Sequence, residues 1–217
     1  NPRTGEILGA DIMLEWAYLT SRLFTKSIFS FEEYNSFSVN SFCSIDSIMQ
    51  RGNLLSSIIS NKSLDSDSKI IKQSIVSLVL HEVGHTLGLS HNFKASYLHD
   101  PVSIHDINIT SKEGITSSVM DYAPSNLAPL GLKQGDYYNT FPGYYDKWAI
   151  EYGYTPDLDK NSLEKILSKS VDTRLMFGND ADDMRSAGRG VDPRAMINDL
   201  SNDPIKFAEE RIKLINS

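Results

Sequence analysis

A chain of 217 residues, 40% of them hydrophobic, can bury one good core or two lobes flanking a cleft. Its net charge of −7 argues against a nucleic-acid partner, which requires a basic face. The longest apolar run, near Ile75 to Leu80, falls far short of a membrane span, and a lone cysteine, Cys43, excludes an internal disulfide.

Cys43 reads as a buried, inert thiol, because no second element of a Cys–His site is recognisable. The opening Asn1-Pro2-Arg3 carries no signal-peptide pattern and suggests an internal fragment or a mature form. Asn1 to Thr4 is turn-like, and Gly5 to Ile12 reads as an extended strand. Ile12, Trp16, Leu19 and Leu23 then recur at helical spacing, which predicts a helix over about 13–26. Ser30 with Glu33 forms a capping-box pattern for a short helix. Residues 44–60 carry helical periodicity interrupted at Gly52, and 61–68 are polar. Asp65 or Asp67 is placed to cap the next helix and suits its positive end.

That helix, over about 67–87, carries the most informative stretch of the chain. Val76, Val79, Leu80, Val83 and Leu87 form a broad apolar side, and Ser74 and Ser77 lie on the opposite side with the histidines. A helix apolar over most of its circumference is expected to be buried. From His81 to His91 the sequence reads HEVGHTLGLSH. His81 and His85, four residues apart, return to one helix face about a turn apart, as two imidazoles sharing a metal ion must. Glu82 points about 100° round the same helix, where it can take a proton from a metal-bound water without ligating. Gly88 takes the left-handed conformation at little cost, so the helix can end there and the chain can return His91 as a third ligand. Three histidines plus one water make an open catalytic zinc site, whereas structural zinc is closed by four protein ligands. The alternative is a buried helix whose histidines are satisfied by hydrogen bonds, but Gly88 and His91 at fixed offsets favour the metal.

Beyond His91 the chain looks irregular to about Gly114. There His99 and His105 could be spare metal ligands but read more readily as exposed loop histidines, and Asp100 and Asp106 as solvated loop acids. Met120, within Ser118-Val119-Met120-Asp121-Tyr122, is on composition alone a gap-filling core methionine. Tyr144 to Tyr152 reads as a helix ending at Gly153, and Ser162 to Lys169 as another capped by Asn161 or Ser162. Asn179 to Asp183 is an acidic cluster. It could bind calcium, but it lacks EF-hand spacing and the distal glutamate, which favours a solvated loop. Asp192-Pro193-Arg194 reads as a helix start, and Pro204 opens a last amphipathic helix over Ile205 to Ile215.

HEVGHTLGLSH resembles the long zinc motif of the metzincin metalloproteases at every fixed position, and the 118–122 run resembles their methionine turn. Asn1 to Ile12, HEVGHTLGLSHNF, SSVMDY and GYYDKWAIEYGY together resemble a bacterial metzincin-like family of large proteins. The resemblance implies an α+β zincin-like catalytic domain, mostly helical here, spanning 1–217. Residues 1–91 would form an upper lobe with the zinc helix, and 92–217 a lower lobe with the methionine turn and C-terminal helices. Glu6 to Ile12 would be an edge strand that pairs with an extended peptide. Since metzincins carry several strands before the zinc helix and only one is legible here, upstream parts of that lobe are expected to be missing.

The same resemblance implies a zinc endopeptidase acting on peptide or protein substrates, located outside the cytoplasm. One catalytic zinc would sit on His81, His85 and His91, with Glu82 as base. Met120 would pack beneath the imidazoles without ligating. Tyr122 would either act as a resting fifth ligand that swings to donate to the oxyanion or simply pack beside the site, and Pro124 to Gly135 would wall a substrate pocket. Two rival readings remain: a zinc-containing, non-catalytic peptide-binding module or inactive protease domain, and a zinc hydrolase of non-peptide amides.

Overall fold

The computed structural model describes residues 1–13, 64–129, 131–183 and 192–216. The expected helices over 13–26 and 44–60, the Ser30–Glu33 capping box and Cys43 lie outside the described residues. Helix α1, Leu64–Thr86, begins earlier than its expected cap, so Asp65 and Asp67 are helical residues. It ends at Gly88, whose φ of 87° lets the Leu89 N–H reach back 3.0 Å to the Gly84 carbonyl.

After two single 3-10 turns, Ala95–Leu98 and Ser103–His105, come α2 (Ile107–Glu113), α3 (Tyr144–Tyr154) and α4 (Lys160–Ser168). Two more 3-10 turns lead on towards α5, Pro204–Ile215. Aspartates set most of these starts, because a carboxylate accepts from amides the first turn leaves unpaired. Asp106 accepts from the Asn108 N–H, Asp159 from Ser162 and Asp203 from Lys206. The cap of α4 is therefore Asp159 and not Asn161 or Ser162. Asp192-Pro193-Arg194 starts no helix. The Asp192 carboxylate binds both the Arg194 N–H and its guanidinium, which closes a turn instead.

No strand occurs among the described residues, and this corrects the α+β expectation. Gly5 to Ile12 has the composition of a strand but no ladder to join. Among the described residues its hydrogen bonds run within Asn1–Glu6, for instance from the N-terminal amine to the Glu6 carbonyl at 2.8 Å, and Leu8 is 76% exposed. An extended segment becomes a strand only when a neighbour takes its backbone groups.

A second correction concerns the helix faces. The fully buried positions of α1 are Ile70, Gln73, Ser74, Ser77, Leu78, His81 and Gly84, a stripe that includes the histidine side. Val76, Val79, Leu80, Val83 and Leu87 are only half-buried. The polar stripe is buried because the loops packed against it supply partners. Gln73 accepts from the Tyr137 N–H at 2.7 Å and donates to Asp136 at 2.7 Å. Ile70 and Leu78 join Phe93, Tyr122, Leu127, Tyr137, Ile197 and Leu214 in the main core. Ile104, Ile115, Leu200 and Phe207 form a smaller one.

Between these cores Asp121 and Asp199 are buried close enough to repel. Burial, with the charge of Asp199, holds the Asp121 carboxyl well above the usual carboxylate range, and burial pushes Asp199 up to about 7. The folded pair thus keeps a proton that the unfolded chain releases near pH 4, so its stabilisation is lost as pH rises from about 4 towards 7. Asp199→Asn should raise the melting temperature at pH 8 by a few degrees, roughly 2–4 °C per kcal/mol for a chain of this size. The gain should shrink towards pH 4. A gain of equal size at pH 4, 6 and 8 would show that the carboxyl charge is not its source.

Candidate metal centre

His81 and His85 lie on the last turns of α1, and the turn at Gly88 brings His91 beside them. One ligand nitrogen from each of the three imidazoles falls within 4.8 Å of the others. Among the described residues this is the one grouping of three His, Cys, Asp or Glu side chains able to share an ion. Each ring is oriented through Nδ1. His81 Nδ1 lies 2.8 Å from the Val119 carbonyl, His85 Nδ1 3.0 Å from the Leu89 carbonyl, and His91 Nδ1 2.9 and 3.0 Å from the two Asp180 carboxylate oxygens. These oxygens can only accept, so each Nδ1 carries the proton and each Nε2 the lone pair. Burial, reinforced by the neighbouring His85 and His91, lowers the pKa of His81 to about 3, so its ring is neutral at physiological pH. His91 Nε2 is buried without a hydrogen-bond partner. A buried lone pair left without a donor, inside a cluster of three imidazoles, suits a metal ion of zinc's ligand preference.

Glu82, half-buried, follows His81 on the helix. The 118–122 run meets the cluster from the other side. Met120 is fully buried, and its Sδ lies only 2.3 Å from where a Cβ on Gly84 would be. Glycine at 84 thus leaves space for the methionine to pack against α1. The Tyr122 ring packs 4.5 Å from His91, 5.5 Å from His81 and 5.3 Å from Phe93, centroid to centroid. Of the segment expected to wall a substrate pocket, Pro124 lines a small cavity with Ser77, Val119 and Asn139.

The residue that shapes this turn went unnoticed in the sequence. Asp146, third residue of α3, accepts from Ser118 Oγ at 2.5 Å, the Val119 N–H at 2.9 Å and the Gly143 N–H at 2.8 Å. Ser118 Oγ in turn accepts from the Met120 N–H. Asp146 therefore sets the peptide whose carbonyl orients His81. Burial pushes its pKa up despite these donors. Gly143 permits the approach, since a Cβ there would lie 2.1 Å from the Ser117 carbonyl oxygen. The legible signal was a helix start with an acid at its third position.

The remaining site candidates go elsewhere. His99 and His105 are buried and not exposed as expected. His99 Nε2 lies 2.9 Å from the Gly114 carbonyl, and burial, with Arg211 nearby, lowers the pKa of His105 to about 4. Asp100 and Asp106 are exposed, but both bind main-chain amides that start local turns. Asn179 to Asp183 forms a closed turn. Its Asp180 serves His91, and among the described residues its carboxylates form no metal-binding group of three.

The class this geometry defines is a three-histidine centre able to hold a metal ion, with two ligands on α1 and the third just past its end, flanked by a turn that carries a methionine. The chain belongs to the Met-zincin family, whose model matches residues 63–217. No curated protein matches it, and no solved structure does.

Replacing Asp146 by alanine leaves three buried donors unpaired and should cost about 3 kcal/mol or more of folding stability. Urea unfolding of the metal-free protein checks this, and a loss below about 1 kcal/mol would dismiss Asp146 as the organiser of the turn.

Proposed function

We propose that this chain is a zinc-dependent metallopeptidase that hydrolyses peptide bonds in peptide or protein substrates. Family membership supports the class. The observation that carries the reading is the buried, partnerless His91 Nε2 set among imidazoles whose Nδ1 atoms are already engaged. His81, His85 and His91 would hold the ion. Zinc bound there supplies Lewis acidity, which brings the pKa of a water to about 7 and polarises a carbonyl.

The protein's own groups do the rest. Glu82 takes the proton released by the attacking water and returns it to the leaving amine. Tyr122, packed on His81 and His91, donates a hydrogen bond to the carbonyl oxygen as negative charge develops there. The buried face of α1 fixes the spacing of the first two imidazoles, and neutral His81 needs no proton removed before it can ligate. A non-catalytic zinc module would have no use for an acid beside the ligands or for a three-ligand set with an open position.

Zinc content and casein cleavage, measured on wild type, Glu82→Ala, Glu82→Gln and His85→Ala, test the reading. The expected result is about one zinc per chain in the first three proteins, with cleavage falling about 10²–10⁴-fold in both Glu82 variants. Undiminished cleavage without the Glu82 carboxylate removes it from the mechanism, and full zinc content in His85→Ala removes that ligand. Zinc without cleavage in wild type would favour a binding module.

A further inference from the structure

Three histidines are oriented here, but not alike. His81 and His85 donate to main-chain carbonyls, whereas His91 donates to a carboxylate. Both oxygens of Asp180 lie within 3.0 Å of His91 Nδ1, 89 residues away in sequence. The Asp180 side chain is 64% exposed, so it contributes little to any core. An exposed ion pair of this kind adds at most about 1 kcal/mol to folding.

The segment that carries Asp180 is nonetheless fastened to the residues after His91. The Asn92 side chain donates to the Met176 carbonyl at 3.0 Å and accepts from the Gly178 N–H at 3.2 Å. The Phe93 N–H donates to the Gly178 carbonyl at 2.7 Å. Beyond Gly178 the turn is closed by its own side chains. Asn179 Oδ1 accepts from the Ala181 N–H, and Asp182 Oδ2 accepts from the Asn179 N–H. Asn92 and Phe93 are thereby locked in register with Met176 and Gly178, and Asp180 is set beside the imidazole.

We propose that Asp180 is a positioning residue of the metal centre, fixing the ring and tautomer of His91 so that the strength of metal binding depends on the 179–183 turn. This rests on the metal-centre reading above. His91 lies past the end of α1, so the helix does not fix its ring as it helps fix the other two. A carboxylate on the far nitrogen supplies that orientation and makes the ligating nitrogen more basic.

The test is zinc affinity by chelator competition, with the absorption spectrum of the cobalt-substituted protein and the melting temperature of the metal-free form. Wild type, Asp180→Asn, Asp180→Ala and His85→Ala would be compared. Asp180→Ala should bind zinc about 10–100-fold more weakly, with an altered cobalt spectrum and an unchanged metal-free melting temperature. Asp180→Asn should fall between, because its amide oxygen keeps the hydrogen bond without the charge. Wild-type affinity in Asp180→Ala, alongside lost binding in His85→Ala, would overturn the proposal and leave the metal centre standing. Weaker binding matched by a lower metal-free melting temperature would overturn it in favour of a structural role. Absence of zinc binding in wild type would remove the metal-centre reading and this inference with it.

Discussion

A peptide group buried in a loop needs a hydrogen-bond partner as much as one in a sheet does. Among the described residues there is no sheet to provide one, and side chains take its place. Asn139 accepts from the amides of Ile115 and Thr116. Asn126 donates to the carbonyls of Ile104 and Asp136, and Gln134 binds both the Ala128 amide and the Asn126 carbonyl. Gln73 reaches from α1 to the amide of Tyr137. Asp146 does the same for the turn holding Met120. The long irregular stretch between α2 and α3 is thus fixed by polar side chains bound to backbone.

The metal centre inherits its geometry from this arrangement. The ring of His81 is aimed by the Val119 carbonyl, whose peptide N–H is held by Ser118 Oγ. Asp146 binds that hydroxyl and the peptide before it, so a carboxylate that never touches the histidine helps decide which way it faces. The polar character of the buried α1 face has the same origin. Gln73 and His81 point inward towards loop groups that bind them, while the aliphatic side stays half-buried. Burial then serves the chemistry, since a dry imidazole stays neutral and keeps its lone pair.

What could be read from the chain was what local spacing determines. HEVGHTLGLSH places two histidines on one helix face and a left-handed glycine before the third, and that follows from helical period alone. The positions of α3 and α5 were legible for the same reason, to within a few residues. The misreadings share another cause. A strand at Gly5 to Ile12 depends on a distant partner that composition cannot report. The burial of His99 and His105, and the choice of which α1 face turns inward, depend on what packs against them. Asp146 carried no signal beyond its place in a helix start, and Asp180 read as part of a solvated acidic loop, because their roles come from the atoms they meet 27 and 89 residues away.

Those separations also set an order in time. The partner that orients His85 is four residues away, so it is in place as soon as the end of α1 forms. That of His81 requires closing a 38-residue loop, and that of His91 one of 89. Closing longer loops costs more entropy and comes later in folding. A chain emerging from synthesis would therefore present one well-oriented imidazole first, then two, and the third only once the 179–183 turn has docked. Tight metal capture would mark the end of folding and not its beginning, which keeps the three-histidine centre incomplete until the protein around it is whole.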